Sequence, residues 1–466
     1  MIFEIAHGIV GRKDLPIPDW LFGWAAALVL VVSFVALALL WPEPRLQDGG
    51  FRPLPRRLSR VLLSRAVAVV CGAIGVFLLG VTVWSGLNGV QVATANFASV
   101  FVLVVFWLGV VPLSVVFGDV FRAFNPWRAI GRAVAWVAQT AARGPLPAPL
   151  RYPERLGHWP GVVGLLAFAT LELVASSGDQ PESVAIATLV YSAATFVGMA
   201  LFGVEAWSTR AEAFGVYFNL FSRISPFTRR GDQVGLRRPL SGLSEVGSLP
   251  GTVPLLAVMI GSVSFDGIGE APLWTGMAPD IAGFFGDLGL SQQMALEAAF
   301  LVGLLAAIAI VLGFYMLGVA GARSVGGRLS TRQIARAFLP SMVPIALAYV
   351  AAHYITELLY RGQAIVELSS SPLGYLASNP LGDEGTDLFG TANEPIDYGV
   401  ISATAAWYYQ VGFVVAGHVA GLALAHDKAL AIYDEARLAV RSQYRMLAVM
   451  VGFTSLALWL LAQSNG

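Results

Sequence analysis

Ten apolar stretches separated by polar loops constrain this 466-residue chain more than any other feature. In hydrocarbon every backbone N–H and C=O has to be satisfied within the protein, which leaves bundled helices or a closed barrel. The stretches run over 20–41, 61–84, 98–117, 159–175, 184–204, 250–265, 298–319, 338–360, 401–425 and 446–461. Most come near the ~20 residues a helix needs to cross a ~30 Å core. None has the period-two alternation of a barrel strand. With 56% hydrophobic and 12% charged residues and a mean hydropathy of +0.70, the chain has too little polar surface for a soluble protein of this length. The expected fold class is therefore all-α: a polytopic integral membrane protein of about ten transmembrane helices, with amphipathic helices at the interface. It reads as one transmembrane domain, with spans one to five and their surface helices in 1–247. Spans six to ten and a long loop, 361–398, occupy 248–466.

The loops sort charge. Of 29 Lys and Arg, 26 lie in or beside the loops joining spans one–two, three–four, five–six, seven–eight and nine–ten; only Arg12, Lys13 and Arg361 lie on the other side. Of 29 acids, 11 share the basic side, 16 lie opposite, and two, Glu172 and Glu357, are inside spans. Short basic loops stay cytoplasmic, so both termini are expected outside. The neutral total is a cancellation between two polarised faces. Arg12 and Lys13 precede an apolar run reaching Trp41, too long for a signal-peptide core, so the first span is expected to be retained. One cysteine, Cys71, excludes an intrachain disulfide. The bias of 27 Arg to two Lys, with abundant Ala and Gly, points to a GC-rich bacterial genome and hence a bacterial plasma membrane. The Arg are spread over five loops, a pattern suited to anionic lipid rather than nucleic acid.

After Pro126, aromatic and Arg residues alternate up to Trp136, as in a helix lying in the interface. The run from Glu205 through Phe218, Phe221 and Phe227 is expected to follow the membrane surface too, before a tight linker. Five spans followed by five place the second half upside down relative to the first, but no residue-level repeat accompanies this.

Ionisable groups inside a span are costly unless paired or hydrated, and here they gather toward the outer half. His353 and Glu357, four apart, share one helix face. Glu172 and Asp266 lie near the outer ends of their spans; Asp397 and Tyr398 precede span nine, whose outer half carries Trp407, Tyr408, Tyr409 and Gln410. Glu172, Asp266, His353 and Glu357 are the candidate ligands of a divalent metal ion. Glu357 and Asp397 are candidate catalytic bases, and Trp407, Tyr408 and Gln410 candidate substrate contacts. The bland alternative is a hydrogen bond or ion pair between His353 and Glu357 that makes both tolerable in the bilayer. His418 lies between Gly417 and Gly421, small residues that allow close helix approach, and is expected to bond across that crossing. His426 and Asp427 end the same span as interfacial residues. Within the long loop, 379–383 and 387–391 carry Gly/Pro punctuation typical of ordered turns, and the loop reads as a lid. Phosphate-loop, dinucleotide and nucleophile-elbow motifs are absent.

The stretches Ala6-His7-Gly8 through Asp14-Leu15-Pro16-Ile17-Pro18, Gly118-Asp119-Val120-Phe121-Arg122 with Asn125-Pro126-Trp127-Arg128, Ser264-Phe265-Asp266-Gly267, His353-Tyr354, and Gly417-His418 through Ala425-His426-Asp427 resemble a group of actinobacterial multi-pass proteins. Some of that group carry the label fenitrothion hydrolase. The resemblance covers essentially the whole chain and implies a membrane-bound hydrolase of organophosphate-type esters; it transfers no set of catalytic positions. Two other readings stand beside it: a proton- or cation-coupled secondary transporter built on Glu172, His353 and Glu357, and a scaffold whose polar groups only lock helices together.

Overall fold

The computed structural model describes residues 19–142, 147–247, 249–326, 329–373, 387–391 and 394–464. Arg12, Lys13, the N-terminal stretches of the resemblance and the 379–383 turn lie outside the described residues, as does most of the expected lid. About 74% of the chain is helical. In chain order, α1 (Asp19–Leu40) is followed by β1 (Arg52–Pro53), α2 (Arg56–Leu62) and α3 (Arg65–Asn88). Next come α4 (Phe97–Val100), a π-helical turn over Phe101–Phe106, α5 (Val110–Phe117), α6 (Phe121–Phe124) and α7 (Pro126–Ala141). α8 (Trp159–Leu173), α9 (Pro181–Phe202), α10 (Val204–Arg210) and α11 (Ala213–Ser222) lead into the hairpin β2 (Phe227–Arg230) and β3 (Gln233–Leu236). The second half contains α12 (Thr252–Gly269), α13 (Pro272–Asp287), α14 (Gln292–Arg323), α15 (Thr331–Phe338), α16 (Met342–Tyr360) and α17 (Ala364–Ser370). α18 (Ala403–Ile432), α19 (Ala436–Ser442) and α20 (Tyr444–Ser464) complete the chain.

All ten apolar stretches are helical. Among the described residues, eight sit in helices long and apolar enough to cross a membrane; α8, with 15 residues, is shorter, and α20 is not among the eight. This fits an all-helical, membrane-embedded protein, with one small exception. β3 pairs antiparallel with both β1 and β2, a three-stranded sheet closed at Gly231, whose φ of +62° suits a residue without Cβ.

Loops of the same parity hold one another. β1 and β3 tie loop one–two to loop five–six, and His158 N donates to Pro250 O at 2.7 Å, joining loops three–four and five–six. The Asp427 carboxylate, buried at the end of span nine, accepts from Trp41 Nε1 (3.2 Å), Leu46 N (3.0 Å), Gln47 Nε2 (2.8 Å) and Arg45 N. On the opposite face, Val90 N donates to Leu373 O (2.8 Å) and Ser99 Oγ to Asp179 O (2.7 Å). Ser176 Oγ there donates to Glu297 Oε1 (2.7 Å). Asp427 is thus a buried fastener, where an interfacial residue was expected.

Two segments depart from the sequence reading. α11 is not a surface helix: Phe218 and Phe221 are fully buried, and Ala213, Phe214, Val216, Tyr217 and Leu220 are buried with them. A helix apolar all round has no face to give to water, so it packs inside. Its N-terminus is anchored by Glu212, whose carboxylate accepts from Phe214 N (3.0 Å), Gly215 N (2.8 Å), Asn125 Nδ2 (2.9 Å) and the Tyr191 hydroxyl. The loop after span six is largely α13, whose Trp274 packs edge-on against Phe265 and Phe300. By contrast, α7 stays at the surface, exposing Val134, Trp136 and Val137 while burying Trp127.

Candidate functional site

Asp266, in the last turn of α12, organises one end of the bundle. Its Oδ2 accepts from His353 Nε2 at 2.9 Å and from the Tyr354 hydroxyl at 2.7 Å, and all three side chains are buried. Consecutive residues of one helix point about 100° apart, so both reach one oxygen only because α12 lies in the angle between them. The π-helical turn before Trp107 completes the wall: one extra residue per turn swings Trp107 inward, where its ring meets Tyr354 (4.9 Å) and Phe168 (5.1 Å) edge-on.

The predicted His353–Glu357 pair does not form. His353 turns to Asp266, and Glu357 Oε1 bonds Arg361 Nη1 at 2.7 Å one turn further along. Arg361, an exception to the charge sorting, is therefore the counter-ion of a buried carboxylate. Glu172, at the end of α8, lies within electrostatic reach of Asp266, Glu357 and Arg361. Its Oε2 is buried and has no hydrogen-bond partner among the described residues. From below, α11 brings the Tyr217 hydroxyl beside the Trp107 indole and within reach of Glu172.

Four of the candidate residues, Glu172, Asp266, His353 and Glu357, thus belong to one neighbourhood, but not as metal ligands. Among the described residues no three His, Cys, Asp or Glu side chains are arranged to hold a metal ion. The Asp266 oxygen is committed to two donors, and Glu357 to a guanidinium. The divalent-metal expectation does not fit this donor set, and no step is derived through a metal.

The remaining candidates separate. Asp397 is exposed; its carboxylate accepts from Gly399 N at 2.7 Å, and its backbone is held on both sides by Gln363. That geometry makes its carboxylate a turn-former. On α18, Trp407 and Gln410 are buried on one face, whereas Tyr408 is exposed on another, so the three do not line a common surface. In the 387–391 turn, Thr391 N donates to Asp387 Oδ1 (2.8 Å), and Gly390 takes a φ of +76°.

His418 is fully buried, and its Nδ1 bonds Val414 O at 2.7 Å on its own helix; the expected bond across the crossing is not made. The close approach itself is as read from the sequence. A Cβ on Gly417 would overlap the Ala348 Cβ and come within 2.7 Å of Pro344 O; one on Gly421 would come within 2.8 Å of Ser341 O. Sequence reasoning assigned no role to Tyr354 or Arg361. The i, i+4 spacing from Glu357 to Arg361 was the available signal for the second.

Comparison of the chain with protein-family models, curated proteins and solved structures finds no match to any of them.

Proposed function

We propose that this chain is a secondary transporter of the bacterial plasma membrane, with its Arg-rich face in the cytoplasm and both ends of the ten-helix array outside, in which the Asp266 cluster holds a coupling proton. The observation that supports this is the carboxylate excess. Glu172, Asp266 and Glu357, with Glu270 also within electrostatic reach of His353, face one guanidinium and one imidazole; even with both bases charged, carboxylates are in excess. An isolated buried charge costs far more than a bound proton, so the cluster has a site for one. Ionisable groups placed inside a helical bundle are characteristic of proton and ion paths. His353 lies seven residues from the end of α16, roughly 10 Å below the outer interface at helical rise. α11 approaches from the opposite face, as broken helices do in transporters whose sites lie between two half-paths.

The test is full-length protein in vesicles containing a pH-sensitive dye, challenged with a solute panel under an imposed proton gradient. Solute-dependent proton flux that Glu172→Gln abolishes without loss of folded protein is the expected result. Absence of such flux across the panel, or hydrolysis of an activated phosphotriester that Glu357→Gln abolishes, overturns the proposal in favour of the enzyme reading. Sidedness is checked separately. In a Cys71→Ser background, Asp48→Cys should react with an impermeant thiol reagent only from the cytoplasm and Asp387→Cys only from outside.

A further inference from the structure

A second built site lies on the opposite, Arg-rich face. A groove of about 500 Å³ opens between α6, the segment before α8, and α10, bordered by Arg122, Arg151 and Arg210 and floored by Leu150, Tyr152 and Phe202. Its geometry is fixed by packing. Leu150 N donates to Leu201 O (2.8 Å), clamping the segment to the end of α9. Tyr152, Phe202 and Trp207 form an aromatic cluster, Phe202 and Trp207 nearly parallel at 6.0 Å and Tyr152 edge-on to both. The Tyr152 hydroxyl is tied to Gly157 O (2.7 Å), and its ring lies under the Arg210 guanidinium at 5.8 Å.

Charge in the groove is unbalanced. Arg210 has no carboxylate partner within 4 Å among the described residues, and Arg151 meets Glu154 only at 3.8 Å, with both side chains more than four-fifths exposed. Glu205, the other acid in the lining, is shared by Arg122 (3.1 Å), Arg128 (3.0 Å) and Arg132 (2.8 Å). Burial pushes its carboxyl up, but hydrogen bonds and charge from Arg128, with the charges of Arg132 and Arg122, outweigh this and hold it below the usual range. One carboxylate cannot neutralise three guanidiniums, and Arg210 adds a fourth cation beside them. Beside the groove, α9 exposes an apolar stripe of Val190, Val197 and Leu201 at helical spacing, ending at the residue whose carbonyl holds Leu150. A small soluble anion has no use for that stripe; an amphiphile has.

We propose that this groove binds the headgroup of a net-anionic phospholipid. Its phosphodiester is held by Arg210 and Arg151 with Arg122, and one acyl chain lies along the α9 stripe. The site is independent of the outer cluster and stands whatever that cluster transports.

The test is retention of phosphatidylglycerol over phosphatidylcholine by full-length detergent-solubilised protein, read by native mass spectrometry. Arg210→Gln is expected to weaken that preference about tenfold, the equivalent of about 1.4 kcal/mol. Arg57→Gln, at an exposed arginine elsewhere on the same face, should leave it unchanged. Arg151→Gln, at an exposed side chain, carries the same expectation should Arg210→Gln lose its fold. Equal losses in the Arg57 and Arg210 variants would mean diffuse attraction and overturn the proposal. Displacement of the lipid by inorganic phosphate would also overturn it, by assigning the arginines to a free anion.

Discussion

Replacing the acceptor and one donor of the Asp266 cluster, singly and together, measures whether the three side chains act as a unit. Tyr354→Phe removes one bond to Asp266, and a bond to a charged group is worth about 1.5–3 kcal/mol net. Asp266→Ala removes both bonds and leaves His353 Nε2 and the Tyr354 hydroxyl facing the emptied position, at an expected cost of about 3–5 kcal/mol. In the double variant the tyrosine has no hydroxyl left to strand. Its cost should therefore fall short of the sum of the singles by about 1.5–3 kcal/mol, well beyond the ~0.5 kcal/mol scatter of independent sites. Unfolding in mixed micelles titrated with denaturing detergent gives the free energies. Trp107, in ring contact with Tyr354 at 4.9 Å, supplies a local fluorescence change. Strictly additive costs would refute the shared-acceptor geometry, and with it the picture of a cluster that holds its charge collectively.

At the α16–α18 crossing, Gly417→Val should destabilise the protein by about 1–3 kcal/mol through overpacking. Gly412→Val on the same helix, where an added Cβ meets nothing within 4 Å, should cost little; equal melting shifts would contradict the close approach. Asp427→Ala strands the donors of Trp41, Leu46 and Gln47 and should make the segment after α1 a preferred site of limited proteolysis, with an unchanged cleavage pattern as the contrary result. In the folded protein the surrounding guanidiniums make the Glu205 carboxyl titrate below the usual glutamate pH. Its arginine contacts therefore add stability that is present above that pH and is lost as pH falls through the lowered value. Thermal melts should show Glu205→Gln less stable than the parent near neutrality and converging with it in acid, and a constant gap would break the linkage.

The helices were legible because an apolar run of ~20 residues favours a span-length helix, and the grouping of alternate loops because arginine placement marks them. The membership of the polar neighbourhood was legible for the same reason, since Glu172, Asp266, His353 and Glu357 stand out against hydrocarbon. Their partnerships were not. Whether His353 bonds along its own helix or across to α12 depends on helix rotation and depth, which periodicity does not encode. α11 was misplaced because aromatic content reads alike in an interfacial helix and a buried one, and the deciding fact is Glu212, whose neighbours come from three separate parts of the chain. Trp107 was invisible as a site residue because a π-helical turn leaves no mark in hydrophobic pattern.

The Asp427 fastener joins segments that are about 380 residues apart in sequence, and α1 packs against α18 and α20. α1 therefore finds these neighbours only after the long stretch of chain between them has been made. Until then its docking face is unclaimed, and this contact forms as a late, long-range event in folding.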